Sequence, residues 1–222
     1  MGWSSNARRW RWSLVALSGL IAAMGLMVLA AILTARETRK KAERCLQAVL
    51  NLELGQGKFE EAQRLKNEFG GIDNTPGANR CTPKSCNLIF PFDNRWLHWL
   101  HLAPLTEFVV GLGVRDGHVI GRGLGYISYA EGGGWYSVEE SLARPAKKNF
   151  DIHVFPDAKG LPAKVLVDFT TAASPGERQL AYAINLECLS KLRECKDARK
   201  VLGPVWQRAE KELANYPAFR GN

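Results

Sequence analysis

Motif-borne catalytic chemistry is scarce in this chain. Only four histidines (His98, His101, His118, His153) and five cysteines occur in 222 residues, and no G-x-S-x-G elbow is present. Any serine or cysteine triad must therefore use one of those four imidazoles. Cysteine this sparse excludes a disulfide-framed miniprotein. Hydrophobic residues at 46% and charged residues at 23% exclude wholesale disorder. The longest absence is of charge and proline together: Ser13–Ala35 contains neither. A helix of 23 residues reaches roughly 34 Å, against a hydrocarbon core of about 30 Å. The run is apolar on every side, which predicts a transmembrane helix over 13–35. It is longer than the roughly 7–15 apolar residues of a cleavable signal peptide, although Leu33-Thr34-Ala35 has the small-residue character of a cleavage site.

What is present in excess is positive charge, formally +8. Eight of the 30 basic residues but only two of the 22 acids fall within residues 1–44, so the remaining 178 residues carry only +2. The excess flanks the apolar run, where it meets anionic headgroups; no nucleic-acid partner is expected. Residues 1–12 form a basic tail in which Arg8, Arg9 and Arg11 accompany Trp3, Trp10 and Trp12 as an interfacial anchor. Gly19 and Ala23 form a small-xxx-small pair that suits close helix approach.

Orientation draws on two opposed signals. Arg36, Arg39, Lys40, Lys41 and Arg44 outnumber the three arginines before the span, which by charge favours a cytoplasmic C-terminal domain. The cysteines pair locally, Cys81 with Cys86 and Cys188 with Cys195, as short-loop disulfides of an oxidising compartment do. Four cysteines allow three pairings, and spacing alone does not choose. The expectation adopted is a single-pass protein of the inner (plasma) membrane with an extracytoplasmic C-terminal domain.

Periodicity gives the rest. A juxtamembrane helix continues over Arg36–Leu54 until Gly55-Gln56-Gly57 breaks it, and Phe59–Phe69 is a second, amphipathic helix closed by Gly70-Gly71. Strands follow at Asn87–Phe92, Glu107–Val114, His118–Tyr129, Phe150–Phe155 and Ala163–Thr171. Arg115-Asp116-Gly117 joins the second and third as a hairpin turn. Pro175 opens a helical region with one helix over Leu180–Leu192 and another, after Cys195, that Gly203-Pro204 kinks or restarts. The order predicts an α+β fold: a transmembrane helix, helices 36–71, then a domain over 72–222 with an antiparallel sheet at about 87–171 and C-terminal helices at about 175–215.

The stretch Leu54–Gly71, LGQGKFEEAQRLKNEFGG, resembles a motif of small bacterial envelope domains of the outer-membrane assembly lipoprotein (BamE-like) type. There a Gly-containing turn leads into a short amphipathic helix closed by Gly and then into an antiparallel sheet. This chain differs in its transmembrane anchor, its lack of a lipobox and its extra C-terminal helices. More broadly it resembles single-pass, membrane-anchored envelope proteins of bacteria. Neither resemblance implies catalysis.

Several constellations carry candidate chemistry. Cys81, Cys86, His98 and His101 approach C2H2 zinc spacing, but the histidines are one residue too close and two nearby thiols favour a disulfide. Gly121-Arg122-Gly123-Leu124-Gly125 lies inside a strand pattern, where glycines mark a bulge or a place where an aromatic, Trp135 or Trp99, packs on bare backbone. Trp96–Leu102, WLHWLHL, reads as an aromatic segment packing on the sheet, with membrane-surface docking or a partner groove as the alternative. His118, Glu131 and His153 are the residues a hydrolase would draw on; Glu107, Asp116, Glu139 and Glu140 are further carboxylates for glycoside chemistry. The favoured function is protein interaction or scaffolding in the cell envelope, with the bilayer, another envelope protein or a second copy as partners and with no cofactor. The alternatives are an anchored hydrolase and a cytosol-facing domain binding zinc or nucleic acid.

Overall fold

The computed structural model describes residues 4–75, 81–129, 134–142, 149–156, 162–192 and 198–214. Helix α1, Ser4–Leu50, runs 47 residues without a break, long and apolar enough to cross a membrane. It spans about 70 Å at 1.5 Å per residue. Its apolar part is largely exposed from Leu14 to Leu33, with Ala31 the buried exception, while Ala42, Cys45 and Val49 enter the domain core. One rigid rod is thus both the candidate span and the first core element of the domain. Trp10 and Trp12 are exposed near its start. Trp3 and the side chains of Arg8, Arg9 and Arg11 lie outside the described residues.

After the Gly55–Gly57 turn comes α2, Phe59–Phe69, which buries Ala62, Leu65 and Phe69. Gly70 closes it in the left-handed conformation (φ 74°), with its N–H on the Lys66 carbonyl, a geometry that favours glycine. The strands are β1 (Ile72–Asp73), β2 (Ser85–Asp93), β3 (Thr106–Arg115), β4 (His118–Ser128), β5 (Trp135–Ser141), β6 (Phe150–Pro156) and β7 (Pro162–Thr170). A short helix α3, Arg95–Trp99, separates β2 from β3. Helix α4 (Pro175–Tyr182), a 3-10 turn (Leu186–Leu189) and α5 (Ala198–Ala214) complete the order. Within α5, Gly203 is non-helical and precedes Pro204, the kink that the sequence predicts.

The α+β class is as expected. The strands form one sheet in the order β1-β2-β3-β4-β5-β7-β6. It departs from a purely antiparallel sheet at one place: β7 returns between β6 and β5 and runs parallel to β5, so the sheet is mixed. The β3–β4 hairpin is closed by Asp116 and Gly117, both at positive φ (50° and 83°), the pair that a two-residue turn matching the strand twist requires. Alternation along the strands sends Leu88, Phe90, Phe108, Val110, Leu124, Tyr126, Tyr136, Val138, Val165 and Val167 into one core. The C-terminal third of α1, α2, α4, the 3-10 turn and α5 cover that face. Tyr136 is buried and donates to the Ala181 carbonyl, pinning β5 to α4.

Strand β5 lies in a stretch for which the sequence predicts no strand. Two further expectations are corrected. Leu180–Leu192 is not a single helix: α4 ends at Tyr182 and the 3-10 turn follows. The aromatic segment does not pack on the sheet. Leu97 is its buried residue, sharing a small cluster with Ala31, Ala35 and Ala103, while Trp96 and Trp99 are 58% and 66% exposed.

Cys81 and Cys86 are disulfide-bonded, with Cα atoms 4.5 Å apart. Cys188 is also disulfide-bonded and buried; Cys195 lies outside the described residues. Cys45 is a free thiol inside the core, and burial pushes it up from 9.0 to about 12. The folded chain therefore holds this proton more tightly than the unfolded chain. The stability it contributes is intact below pH 9.0 and is lost as the pH climbs toward 12. In thiol labelling at pH 8, Cys45 reacts only after denaturation, and Cys81 and Cys86 only after reduction. Labelling of Cys81 and Cys86 to the same extent with and without reductant contradicts the bridge.

Candidate functional site: an uncovered sheet face

Helices occupy one face of the sheet. Among the described residues nothing covers the other. Its centre is a track of bare backbone: the register places Val109 opposite Gly125, Gly111 opposite Gly123 and Gly113 opposite Gly121. Ile89 borders the track on β2, and Ile127 and Trp135 border it at one end of β4 and β5. Together they line a shallow depression of about 640 Å³. Ser137, Glu139 and Ser141 of β5 supply its polar side.

The glycines are not equivalent. A Cβ on Gly123 would lie 2.5 Å from the Val138 carbonyl oxygen, so close approach of β5 demands glycine there. A Cβ on Gly111 meets nothing nearer than 3.8 Å, and one on Gly125 meets nothing within 4 Å. Packing within the chain does not require glycine at these two positions, yet glycine in a strand costs roughly 0.5–1 kcal/mol relative to alanine. The sequence reading of a bulge is met beside this track, where the register shifts between Gly113 and Val114. The expected aromatic cover is not: Trp99 sits on α3, and Trp135 leaves Gly125 open.

Arg122, in the midst of these glycines, points the opposite way. Its guanidinium is buried beneath the sheet, with Nε 2.8 Å from Glu140 Oε2 and Nη1 donating to the carbonyls of Val49, Leu50 and Leu52. It caps the C-terminus of α1, where free carbonyls and the helix dipole concentrate negative charge. Glu140 is fully buried and also receives the Tyr182 hydroxyl at 3.1 Å, while Arg178 Nη1 approaches its Oε1 at 3.4 Å. Burial, and then the Glu140 charge, push the Tyr182 phenol well above its usual range. The cluster locks α1 to β4, β5 and α4. In the sequence Glu140 is one of several dispersed carboxylates and Arg122 part of a glycine motif; no local signal joins residues 18 apart on neighbouring strands.

The other candidates disperse. Cys81 and Cys86 are bonded to each other and so present no thiolate for zinc, while His98 and His101 are exposed on and just after α3. No cluster of three or more His, Cys, Asp or Glu residues suited to a metal ion occurs among the described residues. His118 starts β4, whereas His153 lies on β6, three strands away and near Asp151 (3.8 Å) and Asp168 (3.9 Å). Strand spacing alone separates them by about 14 Å. Glu131 lies outside the described residues. No protein-family model matches this chain, and no curated protein or solved structure matches it.

Proposed function

We propose that the chain is a single-pass protein of the plasma membrane whose extracytoplasmic α+β domain binds a partner protein through the uncovered sheet face. The carrying observation is the glycine track, kept bare at Gly111 and Gly125 where alanine would fit. A stripped, mainly aliphatic channel between Ile89, Val109, Ile127 and Trp135 suits a protein segment that lays aliphatic side chains against the strand backbone. The Cys81–Cys86 bridge supports the extracytoplasmic orientation, because short-loop disulfides persist in oxidising compartments. The continuity of α1 from the apolar run into the core supports a domain held at the bilayer surface rather than on a flexible tether.

The test is photocrosslinking in the cells that make the protein. Val109→p-benzoylphenylalanine gives a discrete protein adduct, and Glu60→p-benzoylphenylalanine, on the exposed side of α2, does not. Adding Gly111→Gln to the first variant abolishes the adduct without lowering the unfolding midpoint. An adduct of equal yield at both positions, or one indifferent to Gly111→Gln, refutes the proposal. An adduct of twice the chain's mass identifies the partner as a second copy.

A further inference from the structure

The exposed aromatic side chains of the domain are not scattered. After α1, those among the described residues are Trp96, Trp99, Tyr129, Trp135 and Phe155. Strand register places them along one end of the sheet. Asp93 pairs with Glu107 next to α3; Thr106 pairs with Ser128, next to Tyr129; Ile127 pairs with Trp135; and Lys164 pairs with both Trp135 and Phe155. The opposite end carries Arg115, Asp116, His118 and Thr170 and, among the described residues, no exposed aromatic side chain.

The aromatic end is also the end at which α1 enters. Helix α3 seats Leu97, with Ala103 behind it, on Ala31 and Ala35 of α1. These alanines are small, which lets α3 approach the helix closely. A hydrocarbon layer of about 30 Å centred on the 13–35 run reaches about ten residues either side of Met24, to near residue 34. The seat of α3 thus coincides with the hydrocarbon–headgroup boundary. Trp96 and Trp99 form an edge-on pair, ring centroids 6.1 Å apart, on the side away from Leu97.

The charges of the rim agree with this placement. Lys164 Nζ lies 3.8 Å from the Trp135 ring centroid and 5.4 Å from that of Phe155, and the Arg95 side chain is 76% exposed. The neighbouring acids are engaged: Asp93 pairs with Arg95, and Glu107 accepts the Tyr129 hydroxyl. Amphipathic aromatic rings interleaved with cations are what the headgroup layer favours.

We infer that this rim, Trp96, Trp99, Tyr129, Trp135 and Phe155 with Lys164 and Arg95, rests in the headgroup layer of the membrane that α1 crosses. The domain is then fixed in height and tilt by two contacts, the span and the rim, and its glycine-lined face stands on edge to the bilayer. The inference rests on the reading of α1 as a span, and the experiment separates the two. The full chain is reconstituted in phosphatidylethanolamine–phosphatidylglycerol vesicles with p-benzoylphenylalanine at one position at a time: Met24, Trp99, Trp135 or Arg115. After irradiation, intact mass reports lipid adducts. Expected is lipid adduct at Met24, and at Trp99 and Trp135 at least about fivefold above Arg115, because only the rim enters the interface. Adduct at Met24 with Trp99 and Trp135 no higher than Arg115 overturns the rim and leaves the span. Absence of adduct at Met24 overturns both. Adducts of chain with chain at Trp99 and Trp135, in place of lipid, overturn the rim by showing a protein contact. Trp135 keeps the test decisive if the variant at Trp99 does not fold.

Discussion

Glu140→Ala lowers the unfolding free energy by about 3–5 kcal/mol, the loss expected when one partner of a buried ion pair is removed and the other is left uncompensated. Here the stranded partner is Arg122, its side chain 10% exposed and unable to reach water without leaving α1. Arg122→Ala has a similar cost for the reciprocal reason: the fully buried Glu140 keeps only Tyr182 and the more distant Arg178. It also removes the cap from the carbonyls of Val49, Leu50 and Leu52. Arg122→Lys does not rescue, because one ammonium cannot bond Glu140 and three carbonyls in the directions a planar guanidinium serves. Tyr182→Phe removes a single hydrogen bond and costs about 1 kcal/mol. The pair Arg122→Met with Glu140→Leu recovers part of the loss, since it leaves no buried charge, but not the part due to the uncapped α1 terminus. Urea unfolding of the full chain in detergent measures all five variants. A loss below about 1 kcal/mol for Glu140→Ala, the level of an exposed pair, removes the cluster as the joint between α1 and the sheet.

The sequence made some layers of this architecture legible and hid others, for physical reasons. The candidate span is legible because membrane crossing requires a long apolar run, and Ser13–Ala35 meets that requirement in one contiguous segment. The β3–β4 hairpin is legible because Asp116-Gly117 meets a local dihedral demand, and α2 because Phe59, Ala62, Leu65 and Phe69 mark one helical face. Strand β5 is hidden because its core face includes Glu140, a residue that reads as solvent-facing until its partners on β4 and α4 are known. The parallel β5–β7 pairing depends on which edge β7 joins, and nothing local encodes that. The uncovered face was half legible: the glycines of β4 stood out as a bulge or a packing site, but their alignment with Gly111 and Gly113 required the register. The Trp96–Leu102 segment misled for a related reason. Tryptophan is ordinarily the larger hydrophobic payload, so the sequence predicts the pair to face inward. Beside an apolar helix with Ala31 and Ala35 at its contact, the close seat goes to Leu97 and the indoles face outward.

Gly123→Ala and Gly125→Ala lie two residues apart on one strand and are expected to differ in sign. At Gly123 the added methyl would stand 2.5 Å from the Val138 carbonyl oxygen, a backbone atom that moves only if β5 moves. Displacing β5 disturbs Tyr136, Val138 and Glu140 together, all of them buried, so the cost is at least the roughly 1–3 kcal/mol of an overpacked core. At Gly125 the methyl enters open space and the backbone is not at positive φ. Alanine there restricts the unfolded chain without straining the folded one, a stabilisation of about 0.4–1 kcal/mol. Gly111→Ala behaves like Gly125→Ala, its nearest neighbour being the Gly123 carbonyl oxygen at 3.8 Å. Unfolding midpoints of the three variants measure the contrast, and a Gly125→Ala variant as unstable as Gly123→Ala contradicts it. If the contrast holds, stability would favour alanine at positions 111 and 125, and the bare backbone there answers to something outside the fold. The same two alanine variants then serve as probes of binding free of a stability defect. Gly111→Ala and Gly125→Ala weaken the adduct formed at Val109, because a methyl standing above the strand keeps a partner's side chains off the peptide plane.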